Sequence, residues 1–285
     1  MKKALLFCFL LILCSCQAST TPEPTKMPTP TQTLPASSTP QPISTQTPQP
    51  AVTTVIPTAT QVPFMVCCPL EDETIESLSG INVNPLVIPP IGKDEGHHGV
   101  DFAYFRRGER ISIQGIEIYA MLSGKTVLTL SDNIPYGNTI LIETPLADLP
   151  ENTREALLAA YLPIPETVVY QGECPDFESP ALNGDMSAYH LYAHMETRPE
   201  FQPGDPISCG TKLGTVGNTG YSSNPHLHLE TRLGPSGADF TTMAFYSPAY
   251  STEQRANYCL WRMSGYYQLF DPFLILNAEN GALTD

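Results

Sequence analysis

The sequence predicts a mostly β fold built on antiparallel sheet, with loop insertions and one short helix. Three observations carry this. Runs rich in Ile, Val, Leu and Tyr recur: IEIYAM (116–121), KTVLTL (125–130), NTILIET (138–144), YHLYAHM (189–195) and KLGTVGN (212–218). Turn residues separate them at Ser123-Gly124, Pro135-Tyr136-Gly137, Pro203-Gly204-Asp205 and Gly234-Pro235-Ser236-Gly237, the rhythm of antiparallel strands. Only Asn152 to Leu162, NTREALLAAYL, has a helical pattern, with Asn152 or Thr153 as the expected cap.

The 285-residue chain opens MKKALLFCFLLILCSC. Two lysines precede an apolar run too short for a spanning helix, which is the shape of a signal peptide. Leu13-Cys14-Ser15-Cys16 resembles a bacterial lipobox, making Cys16 the expected lipidated N-terminus once residues 1–15 are removed. That cleavage removes Lys2 and Lys3 and takes the formal charge from −15 to −17. So acidic a chain argues against a nucleic-acid partner and against charge-driven adhesion to anionic membranes. The lipid is then the expected membrane contact.

From Ala18 to about Pro63 the chain is Thr, Pro, Ser and Gln with scattered Ala and Val. Such a segment buries too little apolar area to offset its ordering entropy and reads as a disordered, partly polyproline-II tether. At about 3.1 Å per residue it reaches on the order of 100 Å. The expected organisation is a signal peptide at 1–15, a lipid-anchored tether at 16–63, and a head at 64–285 with insertions at about 145–185 and 234–268.

All six histidines fall in three clusters. In Gly217 to Glu230, GNTGYSSNPHLHLE, a tight loop delivers the chain to His226 and His228. Residues two apart on a strand share a face, so both imidazoles aim at one point while Leu227 and Leu229 turn into apolar packing. Imidazole serves as metal ligand or as base, and strand periodicity leaves open which of the two binds metal. His97 and Asp101, four apart, also share a face of an extended segment. Gly99 between them is expected to leave room for an ion, and His98 to point away, either exposed or supporting the site from behind. In the third cluster His190, Tyr192 and His194 are expected on one strand face. Taken singly, each histidine also reads as an ordinary hydrogen-bonded residue.

Together the clusters resemble the lysostaphin-type (LytM-like) zinc endopeptidases of bacterial cell walls. His97-His98-Gly99-Val100-Asp101 is similar to that family's HxGxD, and Tyr136-Gly137-Asn138-Thr139-Ile140 to its strand-opening GN element. Leu191-Tyr192-Ala193-His194-Met195 resembles YAHL, and Val216 through Glu230 resembles GxTGxSxGPHLHFE. QPGDPISCGTKLG resembles the family's glycine-marked strand pair, and Asp271-Pro272 its closing DP. The departures are Asn224 for glycine, Leu229 for phenylalanine, and the two insertions.

The resemblance implies an antiparallel sheet or sandwich with an open groove and one zinc per chain. His97, Asp101 and His228 would be the ligands, and two imidazoles with one carboxylate leave a fourth position for water, as in catalytic rather than structural sites. His194 and His226 would flank that water as general base and acid. Tyr192, His190 and Asn138 are further candidates for oxyanion or substrate contact, Asn138 more as a structural part of the groove.

The implied function is zinc-dependent endopeptidase cleavage of peptidoglycan stem-peptide cross-links, outside the cytoplasm, from a lipid anchor in the envelope membrane. A D-amino-acid-containing cross-link is expected rather than an oligoglycine bridge, because no separate wall-targeting domain follows Asp271-Pro272. The alternatives are a catalytically silent peptidoglycan-binding or regulatory lipoprotein of the same fold, and a metal-delivery lipoprotein, which would want a His-rich loop. Beyond Cys16 five cysteines remain: Cys67, Cys68, Cys174, Cys209 and Cys259. Export permits disulfides, but an odd count leaves at least one cysteine unpaired or joined to another chain, and adjacent Cys67 and Cys68 are expected to bond elsewhere than to each other. Both insertions are expected to be packing by default, with lid or substrate wall as the other readings.

Overall fold

The computed structural model describes residues 64–278. The expected cleavage site, Cys16 and the tether lie outside the described residues. Ten strands follow one another: β1 Asn82–Asn84, β2 Val100–Phe102, β3 Glu117–Tyr119, β4 Gly124–Asn133, β5 Gly137–Pro145, β6 Met186–Met195, β7 Pro206–Ile207, β8 Lys212–Thr215, β9 Leu227–Pro235 and β10 Gln268–Leu269. Four α-helices accompany them: α1 Ile75–Leu78, α2 Glu151–Ala160, α3 Thr252–Arg262 and α4 Phe273–Leu276. None of the described helices is long and apolar enough to cross a membrane.

The large sheet runs β1-β2-β9-β6-β5-β4-β7, with β10 pairing the far end of β9. Every pairing is antiparallel. A second sheet of β3 and β8 is also antiparallel. Its Ile118 and Leu213 join Leu227, Leu229, Tyr192, Ile140 and Ile142 in one core under the large sheet. The other face carries Leu128, Leu130, Leu141, Tyr189, Leu191 and Ala193, covered by Phe240, Tyr258, Trp261 and Tyr267. The sandwich is therefore unequal: a small sheet seals one face and the 234–268 segment seals the other.

The helical content exceeds the sequence expectation. The expected helix forms as α2, one residue earlier and without a side-chain cap, because Asn152 and Thr153 lie inside it. The missed helix is α3, which begins at a capping box of Ser251 and Gln254. That Ser-x-x-Gln signal stands in the sequence, but Gln254, Asn257 and the aromatics Tyr258 and Trp261 blur the apolar stripe around it.

Two disulfides form, Cys67–Cys209 and Cys174–Cys259, and Cys68 is the unpaired thiol among the described residues. The second joins the two insertions to each other. Tyr161 hydroxyl also donates to the Tyr266 carbonyl at 3.0 Å, and Gln268 accepts from and donates to the Leu162 backbone at 2.8 and 2.7 Å.

Candidate metal centre

The central pair β9 and β6 builds the site. Ala193 stands opposite His228, Leu191 opposite Glu230 and Tyr189 opposite Arg232, so these six side chains share one face. Alternation along β9 thus lines up His228, Glu230 and Arg232, with His226 just before the strand. β2 pairs with the other edge of β9 and sets Asp101 opposite His228.

Three donors converge. Asp101 Oδ1 lies 2.8 Å from His228 Nδ1, 3.1 Å from His97 Nε2 and 3.5 Å from His226 Nε2. His97 Nδ1 is 3.1 Å from the Pro85 carbonyl, which can only accept, so the proton sits on Nδ1 and the lone pair on Nε2. In the neutral ring a lone pair thus faces a carboxylate oxygen at 3.1 Å, an arrangement that a shared cation satisfies. Tetrahedral donors at about 2.0–2.1 Å from zinc stand roughly 3.3 Å apart. The two separations from Asp101 fall slightly below that, and all three ligand atoms lie within 4.8 Å of one another, a spacing that one ion can span. Asn84 Nδ2 holds the other carboxylate oxygen of Asp101 at 3.0 Å.

His97, Asp101 and His228 form one group able to hold a metal, and His194, His226 and His228 form a second that shares His228. Burial alone would raise the Asp101 pKa, but the imidazoles facing it, His228 first, outweigh that and hold the carboxyl well below the usual range. Burial disfavours a charged His228, yet Asp101 and Glu230 on either side push it up to about 9.

His194 reaches the site by an irregularity. Between the pairs Ile140↔Tyr192 and Asn138↔Met195 the ladder shifts register, with one extra residue in β6. His194 there adopts φ +59°, in the left-handed region that side chains rarely occupy. Its N–H bonds the Tyr136 carbonyl at 2.9 Å, and its ring centroid comes 4.6 Å from that of His226. Strain at a bulge next to a site is where strand geometry re-aims a side chain.

Both flanking imidazoles have a set tautomer. His194 Nδ1 donates to the Thr219 carbonyl at 2.8 Å, and His226 Nδ1 to the Asn224 carbonyl at 2.7 Å. Each ring therefore keeps a basic Nε2. Burial, then the neighbouring histidines, push His194 down to about 3. Burial lowers His226 as well. Both are neutral at pH 7.

Several expectations change. His190 and Tyr192 do not share a face with His194, because the bulge intervenes. Tyr192 packs in the opposite core with Leu227 and Leu229. Its hydroxyl accepts from Met121 N–H at 2.8 Å and bonds His190 Nδ1 at 3.0 Å, and His190 Nε2 bonds Thr144 Oγ1 at 3.0 Å. Both are fully buried and can touch no substrate. Asn138 is buried too. Its amide bonds the Met195 and Glu196 carbonyls at 3.2 Å each and the Asp132 N–H at 3.2 Å, which ties down the chain just past His194.

Gly99 leaves room for the His228 ring rather than for an ion, as its hydrogens face Cε1 and Nε2 of that imidazole. His98 is buried, not exposed. It takes a hydrogen bond from Arg232 at 2.8 Å, and burial with two nearby arginines pushes it down to about 2.

Sequence reading assigned no role at the site to Asn84, Pro85, Thr219, Tyr136 or Arg232. One signal was available: His226, His228, Glu230 and Arg232 alternate on a single strand face.

Residues 181–239 match the model of Peptidase family M23. This span holds β6 to β9 with His194, His226 and His228, while His97 and Asp101 lie outside it. That segment is similar to Peptidase family M23, in agreement with the resemblance carried by the motifs. No curated protein matches the chain. Among solved structures, an M23 peptidase candidate from Pseudomonas aeruginosa is 18% identical, over 76% of this chain and 55% of that one, with a TM-score of 0.32. The chain thus spans about half the length of that protein. The catalytic domain of lysostaphin from Staphylococcus simulans is 23% identical, over 58% of this chain and 91% of that domain, at 0.31. The catalytic domain of the prophage-encoded M23 protein EnpA from Enterococcus faecalis is 19% identical, over 61% and 83%, at 0.30. At such scores the structural likeness is weak.

Proposed function

We propose that this chain is a zinc-dependent endopeptidase that hydrolyses peptide cross-links of peptidoglycan. The observation that supports this most is the convergence of His97 Nε2 and His228 Nδ1 on one oxygen of Asp101, at 3.1 and 2.8 Å, beside two neutral imidazoles. His97, Asp101 and His228 would hold the zinc. Zinc bound there supplies a Lewis acid that acidifies water and polarises the scissile carbonyl.

The remaining chemistry belongs to His194 and His226. Each keeps Nδ1–H on a backbone carbonyl, so each can only accept at Nε2 until it is protonated. One takes the proton of the attacking water. As imidazolium, its Nε2–H then donates to the developing oxyanion or passes the proton to the leaving amine. The bulge that turns His194 toward His226 is what brings the second base within reach.

The substrate would be a stem-peptide cross-link of the cell's own wall, reached from a lipid on Cys16 through the Thr/Pro tether. One preparation tests the core of this reading. Metal analysis of the dialysed protein should give about one zinc per chain, lost in the Asp101→Ala, His228→Ala double variant. Purified peptidoglycan should release stem-peptide fragments, identified by mass, and a chelator should stop it. Zinc binding with neither cleavage of muropeptide dimers nor of pentaglycine would favour a silent wall-binding protein. An unchanged detergent-phase partition of Cys16→Ser would remove the lipid from the reading.

A further inference from the structure

Behind His228, on the side away from Asp101, lies a line of buried polar groups that ends in the second insertion. His228 Nε2 is buried without a hydrogen-bond partner and faces Glu230 Oε2 at 3.6 Å. Glu230 is fully buried. Its Oε1 accepts from Arg232 Nε at 2.5 Å and its Oε2 from the Tyr136 hydroxyl at 2.9 Å.

The Tyr136 oxygen in turn accepts from two donors on α3, Trp261 Nε1 at 3.2 Å and Arg262 Nη1 at 3.3 Å. With both donors in place, its single proton is directed to Glu230. Arg262 is itself held by Asp94 Oδ1 at 2.7 Å, and Tyr258 holds the other Asp94 oxygen at 2.8 Å. None of this is needed to cover a sheet face, since an apolar side chain would do so without buried charge.

We propose that Arg262 and Trp261 are positioning residues of the metal centre, acting through Tyr136 and Glu230 to keep the His228 ring turned with Nδ1 toward Asp101. This rests on the zinc reading given above. A carboxylate on the far nitrogen of a metal-binding histidine sets its tautomer and orientation, and loss of such a partner typically weakens metal affinity by about 10- to 100-fold. Here the carboxylate is not free to choose its own place. Its oxygens are held from behind by Arg232 and Tyr136, and the two groups that fix the Tyr136 oxygen come from a segment outside the family pattern.

The test is zinc affinity by chelator competition on the full chain, for wild type, Tyr136→Phe, Arg262→Gln and their double variant. His228→Ala is included, with Asn257→Ala as a control in the same helix, since Asn257 bonds only the Thr242 carbonyl in this region. The 15N signature of the His228 ring is read alongside. Tyr136→Phe and Arg262→Gln should each weaken zinc about 10- to 100-fold, combine less than additively and shift the His228 signature, while Asn257→Ala leaves both readouts unchanged. Tyr136→Phe removes one buried oxygen, so it decides the matter if Arg262→Gln fails to fold. A folded Tyr136→Phe with wild-type zinc affinity and an unchanged His228 signature overturns the positioning role alone. A wild-type protein that binds no zinc, or a His228→Ala variant that binds as wild type does, overturns the metal reading and this inference with it.

Discussion

Gly99 lies against the imidazole of His228: a Cβ at position 99 would stand 2.9 Å from Cε1 and 2.6 Å from the Leu229 carbonyl oxygen. Real Cβ atoms do not approach backbone so closely, and neither β2 nor β9 can retreat, because they are hydrogen-bonded to each other. Gly99→Ala should therefore displace the ring and part the strands, at about 1–3 kcal/mol of overpacking. Thermal unfolding with zinc analysis checks this. A variant with wild-type midpoint and wild-type zinc content would show that the ring has slack.

His194 and His226 stand beside the convergence of His97, Asp101 and His228, and with His228 form a second group able to hold a metal. His194→Ala and His226→Ala should each keep about one zinc and lose roughly 10²–10⁴ in turnover, the range for general acid–base groups. Loss of metal in both would transfer the ion to the second group, in which these two residues join His228.

His190 is a core residue whose titration reports on stability. Its folded pKa is pushed down to about 3 by burial, against about 6.5 unfolded. Above pH 6.5 neither state takes the proton and the stability is whole. Between 6.5 and 3 the unfolded chain takes a proton that the buried ring refuses, so stability falls as pH falls, by up to about 1.4 kcal/mol per unit. Relative to wild type, His190→Gln should thus gain ground from pH 7 to pH 4 in denaturant titrations. Parallel curves would mean that the folded ring titrates normally.

The Cys174–Cys259 disulfide closes a loop with a sequence separation of 85 residues and joins the two insertions. Replacing both cysteines with alanine should cost about 2–5 kcal/mol, seen as a lower denaturant midpoint under oxidising conditions. Equal midpoints for variant and wild type would show that the insertions hold together by packing alone.

Local patterns announced much of this protein. Runs rich in Ile, Leu and Tyr at 138–144 and 189–195, with Gly and Pro punctuation between the runs, mark antiparallel strands. The two-residue repeat of side chains on a pleated strand placed His226 and His228 together, and the motif resemblance singled out His97 and Asp101. Those are short-range properties, written within ten or so residues.

The tertiary structure decided what depends on partners far along the chain. Only a register shift against β5, seen once Asn138 pairs beyond the bulge, turns His194 away from Tyr192 and toward His226. Only the packing of β2 on β9 makes Gly99 a seat for the His228 ring. The alternation of Glu230 and Arg232 with the histidines was legible, but not the groups that meet them: Tyr136, 94 positions before Glu230, and Arg262, 126 positions beyond Tyr136. A buried polar group must find partners wherever the fold brings them, and local sequence does not state which distant segment supplies them.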